Sequence, residues 1–237
     1  DRIAQMANKL GFGTKTGVEL PSEKGGVIPT RAWKKALIGT AWQQGETLIS
    51  GIGQGFILAT PLQLAVMTAR LANGAEAVVP RLVRPAGDAD KPGAKTGFEP
   101  LGISKRSLDI VREGMNRVTN ELRGTAYRAR ITEEGMEMSG KTGTAQVRRI
   151  SKAERDSRVL KNHERPWRER DHALFVGYAP SDNPRYAVSV VVEHGGGGSK
   201  VAAPIARDLL LATQKRDPAN REEAPHTEAA SVNSEEI

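Results

Sequence analysis

The chain has 237 residues, 38% of them hydrophobic and 27% charged, with a formal charge of +7; this fits one or two globular domains and excludes a wholly disordered chain. Cysteine is absent, which excludes disulfide frameworks, thiolate metal sites and cysteine nucleophiles, and the four histidines form no His-Glu-x-x-His pair, so neither a metal nor a cofactor is expected. The basic balance invites a nucleic-acid reading, but aromatic residues make up only 4% and no recognition motif is present, so no nucleic-acid partner is expected.

In chain order, residues 1–10 read as the tail of a helix ended by Gly11. From Gly11 to Gly55 the chain is rich in Gly, Pro and Trp and reads as loops with short helices, such as Thr30–Leu37. Gly51-Ile-Gly-Gln-Gly55 resembles a phosphate loop only superficially, since no strand feeds it and no Gly-Lys-Ser/Thr follows; a structural or cleft-lining role is expected. Thr60-Pro61-Leu62-Gln63 is a capping box with proline at the first helical position, and Asn73-Gly74 is a stop. Leu62, Leu64, Val66, Met67 and Leu71 surround most of this helix, which predicts burial. A second helix begins at Ser104 with a stripe of Leu108, Val111, Met115 and Val118.

Glu137–Val147 reads as a strand broken by Gly140 and Gly143. Residues 147–171 hold nine Lys/Arg and five Asp/Glu, a long basic loop with room for a short surface helix. His172–Ala179 and Arg185–His194 read as a hairpin about Pro180–Pro184, the second strand largely buried through Val188, Val190 and Val192. His194-Gly-Gly-Gly-Gly-Ser199 reads as a flexible link, in preference to an anion nest. A last helix is expected from Val201 to Thr213, with Ile205, Leu209 and Ala212 on its apolar face. Residues 215–237 carry three basic and six acidic side chains without apolar periodicity and are expected to be a disordered tail on a domain of residues 1–214. Antiparallel strands with helices predict an α+β fold.

The sharpest chemical feature is Ser139-Gly140-Lys141-Thr142-Gly143-Thr144-Ala145. Without a side chain, Gly143 lets another backbone approach, and a peptide can then add as an extra strand. Lys141 supplies a cation and Thr142 a hydroxyl, which together suit a carboxylate. The N–H of Thr144 is a candidate for half of an oxyanion hole. A second copy, Lys15-Thr16-Gly17, lies in a Gly-rich turn where side chains should be loosely held, and reads as structural.

Lys-Thr-Gly accompanies Ser-x-x-Lys and Ser-Asp-Asn elements in penicillin-binding proteins and class A β-lactamases. Gly11-Phe-Gly13, Thr16-Gly-Val-Glu-Leu-Pro21, Pro29-Thr-Arg-Ala-Trp-Lys34, Gly51–Gly55 with Thr60–Leu64, Gly124-Thr-Ala126, Ser139–Ala145 and Phe175-Val-Gly-Tyr-Ala-Pro180 follow one another in one order. The chain thereby resembles the transpeptidase domain of class B penicillin-binding proteins, and Trp42–Gly55 is most similar to the elongation-type branch. Neither Ser-x-x-Lys nor a Ser-x-Asn element stands in an appropriate place; Ser151-Lys152 and Ser104-Lys105-Arg106 lack the spacing.

The resemblance implies the serine β-lactamase-like α+β fold, an antiparallel sheet flanked by helices. This chain would hold the last three of five strands, with the first strands, nucleophile helix and membrane anchor upstream. It implies a peptidoglycan D,D-transpeptidase that cross-links stem peptides through an acyl-serine, is inhibited by β-lactams, and works on the periplasmic side of the inner membrane with cell-elongation membrane proteins. Lys141 and Thr144 would serve catalysis, and Lys141, Thr142, Gly143 and Thr144 substrate binding; without the serine and its lysine, the chain alone is expected to be inactive. The alternatives are a catalytically silent β-lactam-binding or scaffold domain of the same fold and a basic nucleic-acid-binding protein.

Overall fold

The computed structural model describes residues 1–83, 98–148 and 150–218. The first part of the chain is helical: α1 (Arg2–Lys9), α2 (Arg31–Ile38), α3 (Gln44–Gly51) and α4 (Pro61–Ala72). Thr60 caps α4 as its spacing predicts, accepting from the Gln63 N–H while Gln63 Oε1 accepts from the Thr60 N–H. α4 is only part-buried, and two of its inward side chains, Gln63 and Thr68, are polar. Gln63 reaches out of the helix, donating to the carbonyls of Thr14 and Gly25 at 2.8 Å each and so pinning the glycine-rich loop to α4. α3 forms in a stretch expected to be mostly loop; Glu46 closes a capping box with Gln43 and pairs with the buried Lys34 of α2 at 2.5 Å.

α5 (Lys105–Asn120) starts at Ser104, which caps Ser107. Its inward residues are Leu108, Met115 and Thr119, whereas Val111, expected in the stripe, is 43% exposed. A sheet follows: β1 (Ser139–Ala145), β2 (His172–Ala179) and β3 (Tyr186–Val192), antiparallel throughout in the order β1-β2-β3. Between β1 and β2 lie α6 (Lys152–Asp156) and two short 3-10 turns. α7 (Ala202–Arg216) closes the described fold.

The register splits the sheet into two faces. Thr142, Phe175 and Val190 share one face, with Ala173 and Val192, and α7 packs there. Lys141, Gly143 and Leu174 lie on the other, which α4 covers in part. α7 presents Ala202, Ala203, Ala206 and Leu210 to the sheet, while Ile205 and Leu209, expected inward, are 41% and 50% exposed. Alanines win this position because they bring the helix axis close to Phe175 and Ala173, which bulkier side chains would hold off. β3 is half-buried, with Val190 its buried residue; it lies at one margin of the described sheet, so the burial expected of Val188 and Val192 is only partial.

α7 continues past Thr213 to Arg216, and Asp217 accepts from Tyr186 Oη at 2.5 Å and pairs with Arg185. Lys215 and Arg216, placed by expectation in the tail, thus belong to α7, and the rest of that expectation, residues 219–237, lies outside the described residues.

Candidate functional site

β1 is held in place along its whole length. At its start, Thr119 Oγ1 and Asn120 Nδ2 of α5 both donate to the carbonyl of Met138, at 2.6 and 3.0 Å. On the α7 side, a Cβ on Gly140 would meet the Phe175 ring, so this glycine is what lets the ring lie under the strand. At the far end, Gln54 Nε2 donates to the carbonyl of Thr144 at 3.1 Å. Lys141 Nζ folds onto the carbonyl of Thr142 at 2.8 Å.

In an antiparallel pair the N–H and C=O of one residue point to the same side, and this side alternates along the strand. The carbonyls of Thr142 and Thr144 are both met from outside the sheet. These two residues therefore turn their backbone groups to the open edge of β1, away from β2. The edge presents the Thr142 and Thr144 N–H groups, with the Lys141 ammonium and the Thr142 hydroxyl beside them. Lys141 and Thr142 belong to opposite faces of the sheet, yet a ligand lying along an edge can meet side chains from both.

All four expected site residues are thus on one strand edge. Gln54 places the Gly51–Gly55 loop against the site strand, in line with a cleft-lining role. The loop, α4 and the ends of β1 and β2 enclose a mostly apolar cavity of about 710 Å³, lined by Gln54, Leu58, Leu64, Ala145, His172 and Leu174 among others. Sequence reasoning had assigned no role to Thr125, whose hydroxyl lies 3.1 Å from that of Thr142.

The second Lys-Thr-Gly is a different object. Thr16 offers both its N–H and its hydroxyl to Glu23 Oε1, at 2.6 Å each, and Gly17 N–H reaches Glu23 Oε2. The Thr16 hydroxyl bond, above all, holds the Glu23 carboxyl below the usual carboxylate range. The side chain is well fixed, contrary to expectation, but by an internal clip that occupies its hydroxyl. The literal triplet Ser181-Asp182-Asn183 forms the β2–β3 turn, where Ser181 Oγ donates to the carbonyl of Glu137.

The basic 147–171 segment is folded on its own charges. Arg148 grips Glu154 through two bonds of 2.6 and 2.8 Å, Arg158 pairs with Glu164, and the buried Arg165 with Asp171. Arg148, Arg158 and Arg165 are thereby engaged by acidic partners, and nothing in the segment supports the nucleic-acid alternative. The His194–Ser199 run is no slack link: the Gly196 N–H donates to the carbonyl of Asp171, and Gly198 lies on β1 and β2.

Residues 1–211 match the family described as penicillin binding protein transpeptidase domain. The chain is 36% identical over 232 residues to the peptidoglycan D,D-transpeptidase MrdA of Acinetobacter baumannii, covering 92% of this chain and 32% of that protein. It is 34% identical to MrdA of Escherichia coli, covering 89% of this chain and 33% of that protein. Among solved structures, the complex of penicillin-binding protein 2 and MreC from Helicobacter pylori aligns with a TM-score of 0.73 at 32% identity, over 90% of this chain and 35% of that one. Penicillin-binding protein 2 of Pseudomonas aeruginosa in complex with WCK 5153 aligns at 0.69 and 36%, over 96% of this chain and 47% of that one. The chain spans about a third of the length of the curated relatives it matches. It belongs to the penicillin-binding protein transpeptidase family.

Proposed function

We propose that this chain supplies the substrate-binding strand of an elongation-type peptidoglycan D,D-transpeptidase. The observation that carries the reading is the outward-facing edge of β1, its Thr142 and Thr144 carbonyls met by Lys141 and Gln54. A stem peptide would lie along this edge as an added strand. Lys141 and Thr142 would hold its terminal carboxylate, and Gly143 would permit the close approach. The Thr144 N–H would stabilise the oxyanion that forms as a serine attacks the penultimate D-Ala carbonyl. D-Ala leaves, an acyl-serine forms, and an amine of a second stem peptide resolves it. A β-lactam would enter by the same route and stall as the acyl-enzyme.

The serine and its base lysine would come from another part of the polypeptide, so the isolated 237-residue chain should take no stoichiometric penicillin adduct by intact mass. The MreC complex of the Helicobacter pylori relative supports an elongation-machinery membrane protein as partner, and peptidoglycan as substrate places the work on the outer side of the cytoplasmic membrane.

The test is stopped-flow acylation of the full-length protein by one penicillin. Thr142→Val removes a hydroxyl that bonds a charged group, an interaction of about 1.5–3 kcal/mol, and should slow acylation roughly 10- to 150-fold. Thr16→Val, which breaks only the Glu23 clip, should change the rate less than about threefold. An equal or larger effect at Thr16 would place the site strand elsewhere.

A further inference from the structure

We propose that Thr125 is a positioning residue for substrate carboxylate recognition: its hydroxyl donates to Thr142 Oγ1 and so commits the Thr142 proton to the ligand. The proposal rests on the reading of Thr142 given above. The two hydroxyl oxygens are 3.1 Å apart, close enough for either to be the donor. A hydroxyl has one proton and two lone pairs. With an anion at the edge of β1, the chain polarises in one direction, Thr125 to Thr142 to carboxylate, and each bond strengthens the next.

What makes this more than a chance surface contact is how Thr125 is held. Residue 124 must be glycine, because a Cβ there would land on the carbonyl oxygens of Arg117 and Val118 at the end of α5. The chain therefore turns tightly over the helix terminus, with the Gly124 N–H bonded to Glu121 O at 2.8 Å and the Ala126 N–H to Val118 O at 2.9 Å. Ala126 is 1% exposed, sunk in the core beneath α7. Thr125 itself is exposed, carried between a backbone clamp and a buried anchor. An exposed side chain on so rigid a mount suits a group whose task is to orient another.

The experiment compares acylation of the full-length protein by benzylpenicillin and by its methyl ester, which lacks the carboxylate charge. Thr125→Val should slow acylation by the acid roughly 2- to 12-fold, the range of one neutral hydrogen bond, and by the ester less than about twofold. Thr125→Ser, which keeps the hydroxyl, should stay within about twofold of the parent for both. The double variant with Thr142→Val should be no slower than Thr142→Val alone, within about twofold, because Thr125 acts only through Thr142. Equal slowing of acid and ester by Thr125→Val, or effects of the two substitutions that multiply, would overturn the proposal. If Thr142→Val itself slows acid and ester equally, the carboxylate reading of Thr142 falls, and the role of Thr125 with it.

Discussion

Gly198 lies flat against the Gly143–Leu174 pair of the sheet, so close that a methyl group on it would land on the carbonyl oxygens of both residues. The loop that follows β3 thus backs the site strand one residue before Thr144, with nothing between them to yield.

Gly198→Ala should therefore push β1 from its seat, at about 1–3 kcal/mol, the usual magnitude of overpacking. Gly197 has open space around it, so Gly197→Ala should stay within about 0.5 kcal/mol of the parent. Denaturant unfolding of the two variants checks this; equal destabilisation would mean that the contact does not bear on β1.

Gln54→Leu removes the donor to the Thr144 carbonyl while keeping a side chain of similar size. Loss of one net hydrogen bond is worth about 0.5–1.5 kcal/mol. Penicillin acylation of the full-length protein should slow roughly 2- to 12-fold, because the peptide that follows the proposed oxyanion donor, the Thr144 N–H, loses its tether. An unchanged rate would show that β1 keeps its place without the loop.

α7 meets the sheet through alanines, which predicts where enlargement hurts. Ala206 is fully buried against the sheet core. Ala206→Leu should lower stability by about 1–3 kcal/mol, measured as a fall in the urea midpoint, and a neutral outcome would mean that the helix stands further off than described.

The Glu154 carboxyl is held down to about 2, first by its bonds to Arg148 and then by the Ser151 N–H. Its folded value lies below its unfolded one, so its stabilising contribution is complete above the ordinary carboxylate range and disappears as pH falls toward about 2. The gap in melting temperature between the parent and Glu154→Gln should narrow steadily on acidification below about pH 4.5. A gap that widens there would reverse the sign and refute the pairing.

Much of this was legible from residue order. Thr60, Pro61 and Gln63 announce α4 because capping is local chemistry, and two apolar runs about the Pro180–Pro184 turn mark β2 and β3. Faces were harder to read. Ile205 and Leu209 look like the inward side of α7, yet the sheet takes Ala202, Ala203 and Ala206, because the closeness of two packed elements is a tertiary quantity that favours small residues. Val111 stands out of α5 because it lies to one side of the line that Leu108, Met115 and Thr119 make along the helix. The site strand was visible through Lys141 and Thr142, but Gln54 and Thr125 reach it across sequence separations of 90 and 17 residues. Two signals pointed toward Thr125: its place in the Gly124-Thr-Ala126 block, and Gly124 itself, since a glycine just past a helix can mark a turn that needs the missing Cβ.

The Lys141 and Gln54 bonds to the edge of β1 have one more consequence. A bare strand edge offers donors and acceptors alike, and so invites any passing strand to pair, including one from another copy of the same protein. Here two outward carbonyls already have partners while the amides beside them face out. Each carbonyl keeps a second lone pair, so a peptide can still pair as an added strand. The edge is nevertheless biased toward guests that bring oxygen, and a second copy of β1, whose own acceptors are part-engaged in the same way, is a poorer match. Resistance to self-aggregation and appetite for an acyl ligand would then come from the same two hydrogen bonds.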